Sequence, residues 1–199
     1  MNGMTACDTL PMSEGTLPIR TEPWTEENFF ALGETPNKIE LVDGSLWVSP
    51  SPNGPHQDIS LQLGIALKPA ARTLGLRVRL DLDVRLQPGT ILRPDLIVVK
   101  GPRVVSTTDV ADVLLVSEVI SPGNATADRL LKRQLYAAAG IKWYLLVEPD
   151  MPDYESLTLR LLRLKGDAYV EHAVAASGTT LTLDDPLAVT IDVDDLLDL

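Results

Sequence analysis

At 199 residues, 45% hydrophobic and 23% charged, the chain is long enough for one ordinary domain with a substantial core and has the composition of a globular protein. A net charge of −11 argues against a general nucleic-acid coat protein, which needs clustered Lys and Arg against phosphate. The lone cysteine, Cys7, excludes an intrachain disulfide and a cysteine-based zinc site, and two histidines, His56 and His172, disfavour a His-rich metal site.

Reduced cysteine usage fits a cytoplasmic setting. No run reaches the ~18–20 apolar residues that span a membrane, and the N-terminus lacks a signal-peptide layout. Residues 1–20 carry Pro, Gly, Ser and Thr without periodicity and are expected to be a flexible leader to a single domain over 21–199. Charge is uneven along that domain. Residues 68–105 hold 8 bases (Lys68, Arg72, Arg77, Arg79, Arg85, Arg93, Lys100, Arg103) against 3 acids (Asp81, Asp83, Asp95), while both flanks are acidic. A positive middle admits a polyanionic substrate, and it equally describes solvated strand and helix faces.

Thr25 and the acids after it predict a short capped helix in TEENFFALG. Apolar segments on both sides of Asp43-Gly44 predict a hairpin over 39–49. A helix follows from about His56 to Leu74, with Ile59, Leu63, Ala66 and Leu67 on one face and Gly75 as its stop. LRVRLDLDVRLQ (76–87) alternates as a strand with one wet face, and a Pro88-Gly89 turn leads to a second strand over 91–100, an antiparallel pair. VLLVSEVI (113–120) reads as the most buried strand, residues 124–140 as a helix, and 141–149 as a fourth core strand. Two or three further β segments fill 157–191. The order indicates an α/β (α+β) fold with a mixed sheet.

In LLVSEVISPGN the acid Glu118 interrupts the most apolar strand. An uncompensated buried carboxylate costs several kcal/mol or more, so a hydrogen-bonded cation, a raised pKa or a metal must accompany it. Asp95 lies among Leu, Ile and Val on the preceding strand, and two carboxylates on neighbouring strands repel unless a cation or a proton lies between them. On the following helix Asp128, Lys132 and Tyr136 recur at i, i+4 and i+8, and the short SPGN link returns Lys132 toward the acids. Two acids and a lysine suit metal-assisted phosphodiester cleavage; singly, each residue is as well explained by an ion pair closing helix against sheet.

The ordered stretches IELVDGSLWVSPSPNGPH, LDVRL, RPDLIVV, LLVSEVISPGNATAD, Lys132, Tyr136 and AAGIKWYLLVEPD resemble the bacterial Uma-type restriction endonucleases of the PD-(D/E)XK nuclease superfamily, over roughly residues 24–199. The resemblance implies a restriction-endonuclease-like core with an N-terminal helix and hairpin and extra C-terminal strands. It also implies Mg²⁺-dependent cleavage of DNA, with Mn²⁺ able to substitute. Asp95 and Glu118 take the two metal-binding acid positions. Ile120 stands where the superfamily's lysine is usual, and Lys132 is its counterpart from the helix. Glu40 matches an acid near the metal, or is a hairpin-face carboxylate. His56 and Asp83 are accessory candidates, better read as a helix-start polar residue and a surface acid, and Tyr136 either orients Lys132 or packs in the core. Asp128 reads as a first-turn acid, and Trp143 and Tyr144 as packing residues. A catalytically silent binding domain of the same fold is the competing expectation, and a homodimer would suit cutting of two strands.

Overall fold

The computed structural model describes residues 21–121 and 127–197; the side chains of residues 127–129, and with them Asp128, lie outside that description, as does the expected leader. In chain order the elements are α1 (Glu26–Phe30), β1 (Lys38–Val42), β2 (Ser45–Ser49), α2 (Gly54–Thr73), β3 (Arg77–Leu80), β4 (Asp83–Gln87), β5 (Thr90–Leu92), β6 (Leu96–Val99), β7 (Thr107–Asp109) and β8 (Val113–Val119). A π-helical turn (Ala127–Lys132) then runs into α3 (Arg133–Ala138), followed by β9 (Trp143–Pro149), β10 (Leu157–Lys165), β11 (Ala168–Ala176), β12 (Thr180–Leu183) and β13 (Val189–Asp192).

Local chemistry accounts for the ends of these elements. Thr25 Oγ1 accepts the Asn28 N–H at 3.2 Å, and Glu26 and Glu27 stand at the positive end of α1. Asp43 and Gly44 both have positive φ, 46° and 77°, as a tight two-residue hairpin turn requires. A Cβ on Gly44 would lie 2.8 Å from Pro23 Cβ, so close packing demands glycine as well. The Asn53 side chain caps α2 by accepting the His56 N–H, which starts the helix slightly earlier than the sequence suggests, and Gly75 at φ 70° ends it.

Six strands form one mixed sheet in the order β11-β10-β9-β8-β6-β3, in which β8 and β9 are parallel and the remaining neighbours antiparallel. A second sheet has the order β2-β1-β5-β4-β7, and β12 pairs with β13. The α/β reading with a mixed sheet therefore holds, and the tail supplies four strands rather than two or three.

The two strands expected at 76–87 and 91–100 are each broken. Asp81, at φ 50°, turns the chain between β3 and β4, and Arg93-Pro94-Asp95 separates β5 from β6. One antiparallel hairpin thus serves both sheets: its stem, β3 with β6, belongs to the six-stranded sheet, and its tip, β4 with β5, to the other. The alternating pattern continues straight through Asp81 and Leu82, so periodicity carries no mark of the break.

On one face of the large sheet α2 lays Ile59, Leu63, Leu67 and Ala71 against Leu96, Val98, Leu115 and Val119. On the other, Ile97, Val99, Val116 and Ile120 meet Val84, Leu86 and Leu92 from the second sheet and Tyr136 from α3. Covered on both sides, β8 is apolar throughout except for Ser117 and Glu118, which are buried too. Among the described residues no helix is long and apolar enough to cross a membrane.

Candidate active site

The charged side chains gather where the two sheets meet. Leu96 of β6 lies opposite Ser117 of β8, so Asp95, just before β6, comes beside the end of β8 that carries Glu118. The Val119 N–H donates to Asp95 Oδ2 at 2.8 Å, and His56, from the first turn of α2, brings Nε2 within 3.2 Å of the same oxygen and 3.1 Å of the Val119 carbonyl. Both neighbours of Nε2 accept, so that nitrogen carries the proton. His56 Nδ1 is buried and has no hydrogen-bond partner among the described residues.

Glu118 is 1% exposed. Its Oε1 accepts from Lys132 Nζ at 2.9 Å and from the Tyr136 hydroxyl at 2.6 Å. The helical spacing of Lys132 and Tyr136 does place both over Glu118, but through an unexpected backbone: Lys132 is the last residue of the π-helical turn, and Tyr136 lies in the α-helix beyond it.

Glu40 enters from β1. Its Oε1 accepts the Arg93 N–H at 2.8 Å and lies 3.2 Å from Lys132 Nζ, so that one lysine bridges Glu40 and Glu118. Arg93 in turn grips Asp83 through two hydrogen bonds of 2.7 and 3.2 Å. Asp83 is therefore buried in an ion pair at the start of β4, which corrects the surface reading; its partner lies across the hairpin, beyond the reach of an alternation rule.

Lys38 was not singled out from the sequence. Its Nζ stands 2.8 Å from Asp95 Oδ1 and 3.8 Å from Glu118 Oε2, between the two acids. The signal was present: Lys38 and Glu40 are two residues apart on one strand and share a face. Three carboxylates (Glu40, Asp95, Glu118) thus meet two ammonium groups, leaving one negative charge in excess.

Burial opposes ionisation of Asp95, yet Lys38, the His56 hydrogen bond and Lys132 outweigh it and hold the carboxyl far below the ordinary range. Burial and the neighbouring Lys132 oppose the charge on Lys38, and Glu118, Asp95 and Glu40 together raise its pKa above that of an ordinary lysine. Burial and the charge of Glu118 push the Tyr136 hydroxyl well up, so it remains a donor. Asp81 beside the cluster is raised, first by burial and then by Asp95.

Among the described residues no three Asp, Glu, His or Cys side chains converge into a ready-made metal cage. Mg²⁺ does not need one, since it commonly binds through one or two carboxylates and keeps water and substrate oxygens for the rest. Asp95 Oδ1 and Glu118 Oε2 already share a cation, the Lys38 ammonium, so the donor set fits such an ion.

The other expected roles resolve as packing or pairing. Trp143 and Tyr144 are buried; Trp143 stacks edge-on with His172, and Tyr144 with Tyr136 and at a tilt with Tyr169. Much of the basic middle is engaged within the protein: Arg85 binds Glu26 and Asp109, while Arg77 and Arg79 donate to carbonyls over 101–103.

The model of the Uma2 family, described as "Putative restriction endonuclease", matches residues 26–194. No curated protein matches the chain. Among solved structures the fold resembles a protein described as "a putative nuclease belonging to DUF820" from Anabaena variabilis ATCC 29413, with a TM-score of 0.66 and 17% identity over 88% of this chain and 98% of that one.

Proposed function

The chain belongs to the Uma2 family, and from that premise we propose that it is a nuclease that hydrolyses phosphodiester bonds of DNA with the help of Mg²⁺. The observation that carries the reading is the convergence of Asp95 Oδ1 and Glu118 Oε2 on a single cation position.

Asp95 and Glu118 would hold the ion, with Glu40 alongside. When bound, the metal lowers the pKa of a coordinated water and neutralises charge developing on the phosphate. The protein prepares its ligands beforehand. The Val119 N–H and His56 Nε2 fix Asp95 Oδ2 and leave Oδ1 turned into the site. Lys132 and Tyr136 fix Glu118 Oε1 and leave Oε2 on the same side as Asp95 Oδ1. Lys132 adds a fixed positive charge beside the reacting phosphate and orients the attacking water, the role of a preorganised cation in a water-poor site. Asp83 acts at one remove, holding Arg93 and through its backbone Glu40.

One observation favours the competing reading of a silent binding domain: the ammonium groups already compensate most of the carboxylate charge. Plasmid cleavage with and without Mg²⁺ decides between them. Wild type should cut only with the metal, and Asp95→Ala and Lys132→Ala should each be slowed by at least about a hundredfold. Equal inactivity of wild type and variants on supercoiled, linear and single-stranded DNA would reject the nuclease.

A further inference from the structure

Lys38 is the charged residue of the site for which the proposed chemistry has no task. Its ammonium occupies the place between Asp95 and Glu118 toward which their outward oxygens point, and its side chain is only 13% exposed. A lysine stem anchored on β1 reaches this place from the second sheet, whereas Glu118 stands on the first and Asp95 immediately before its strand β6. We propose that Lys38 is a resident placeholder cation, which holds the carboxylate pair together in the metal-free protein and gives up its place when the divalent ion binds. This rests on the metal-dependent reading above.

Charge and size both support an exchange rather than coexistence. With Lys38 and Lys132 both in place the three carboxylates carry one excess negative charge; a divalent ion entering beside both lysines would reverse that sign. If the Lys38 ammonium withdraws, the ion, Lys132 and three carboxylates balance. An ammonium and a Mg²⁺ ion ligating at about 2.1 Å also cannot both stand in the one position between Asp95 Oδ1 and Glu118 Oε2. Lysine suits the task better than arginine, since a compact ammonium on a flexible four-carbon stem can swing away without breaking a planar two-point contact. Its neighbour Lys132 cannot serve, being tied to Glu118, and lying 3.2 Å from Glu40.

The placeholder is a positioning residue, and it makes a prediction opposite in sign to a structural role. Removing a structural lysine should weaken or abolish metal binding; removing a competitor should strengthen it. Mn²⁺ binding is measured by calorimetry on the full chain for wild type, Lys38→Met, Lys38→Gln, Lys38→Arg and Asp95→Asn, with melting temperature followed with and without Mn²⁺. Lys38→Met or Lys38→Gln should bind Mn²⁺ about tenfold tighter than wild type, the loss of one partly buried competing ion pair, and should gain more melting temperature from the metal. Lys38→Arg should bind Mn²⁺ no tighter than wild type, because its planar fork leaves less readily, and Asp95→Asn should lose binding. Two variants guard against a folding failure in either. Equal or weaker Mn²⁺ binding by Lys38→Met and Lys38→Gln, with wild type still binding through Asp95, would overturn the placeholder and leave the metal site standing. Absence of Mn²⁺ binding in wild type and variants alike would overturn both.

Discussion

Strands β6 and β8 build two kinds of interior within one residue of each other. Leu96 and Val119 turn toward α2 and disappear among Ile59, Leu63 and Leu67. Asp95 and Glu118, their immediate neighbours in sequence, are just as buried but face ammonium, imidazole and hydroxyl groups. The apolar layer asks only for volume and shape, because dispersion and water exclusion are non-directional. The charged layer asks for named partners at fixed distances, because an unmatched buried charge costs several kcal/mol. Both faces of the sheet carry an apolar core, but only one also holds the buried charges, and substitutions in the apolar layer and in the charged cluster should fail in different ways.

The widest separation is expected in cleavage. Glu118→Ala should slow DNA hydrolysis by about a thousandfold in a plasmid-nicking assay with Mg²⁺, while the protein still shows a cooperative melt. Leu63→Ala, on the apolar side, should cost about 3 kcal/mol in urea unfolding and leave the cleavage rate per folded molecule unchanged. If Leu63→Ala lowered that rate as strongly as Glu118→Ala, the division of labour would be broken. Tyr136→Phe sharpens the contrast, since it keeps the ring in the core and removes only the hydroxyl bonded to Glu118. A loss of about 2 kcal/mol in stability is expected, the value of a hydrogen bond to a charged group.

Acid should find the charged side first. Asp95 is held ionised below its ordinary range, so its stabilisation is complete above a pH of about 4 and drains away as pH falls below that value. Urea midpoints at neutral pH and at about pH 3 should fall farther for wild type than for Asp95→Asn; parallel falls would count against the assignment. The smallest effect belongs to the exposed network outside both layers: Arg85→Gln, which removes contacts to Glu26 and Asp109, should change stability by less than about 1 kcal/mol in the same assay.

The apolar layer was readable almost residue by residue, because its periodicity is local: Ile59, Leu63 and Leu67 on one helical face, and the apolar run over β8 broken only by Ser117 and Glu118. The hairpin at Asp43-Gly44 and the Thr25 cap were equally plain, being written into adjacent residues. The charged layer was only partly legible. Asp95, Glu118, Lys132 and Tyr136 stood out because acids in strands and a helical spacing are local anomalies, and the fold does bring these four together with Glu40 and His56. Lys38 did not stand out, since a lysine at the start of a hairpin strand is unremarkable until the acid it serves is placed, 57 residues away. The fate of Asp83 had the same cause, its partner Arg93 being a turn and a strand away. The break at Asp81 left no trace in the alternation, and the π-helical turn before α3 has no pattern that distinguishes it from an α-helix of the same composition.

That break carries a mechanical meaning. Lys38 and Glu40 ride on one sheet, Glu118 on the other and Asp95 at the break between them, and two of the covalent joints between the sheets are the interrupted strands of a single hairpin. Any ion or phosphate held across these side chains is consequently a rivet through a seam. Fraying of β1 alone would dismantle the site while α2 and its apolar layer stayed folded, and a ligand in the site would be felt as slower amide exchange along β1 before it registered in the core.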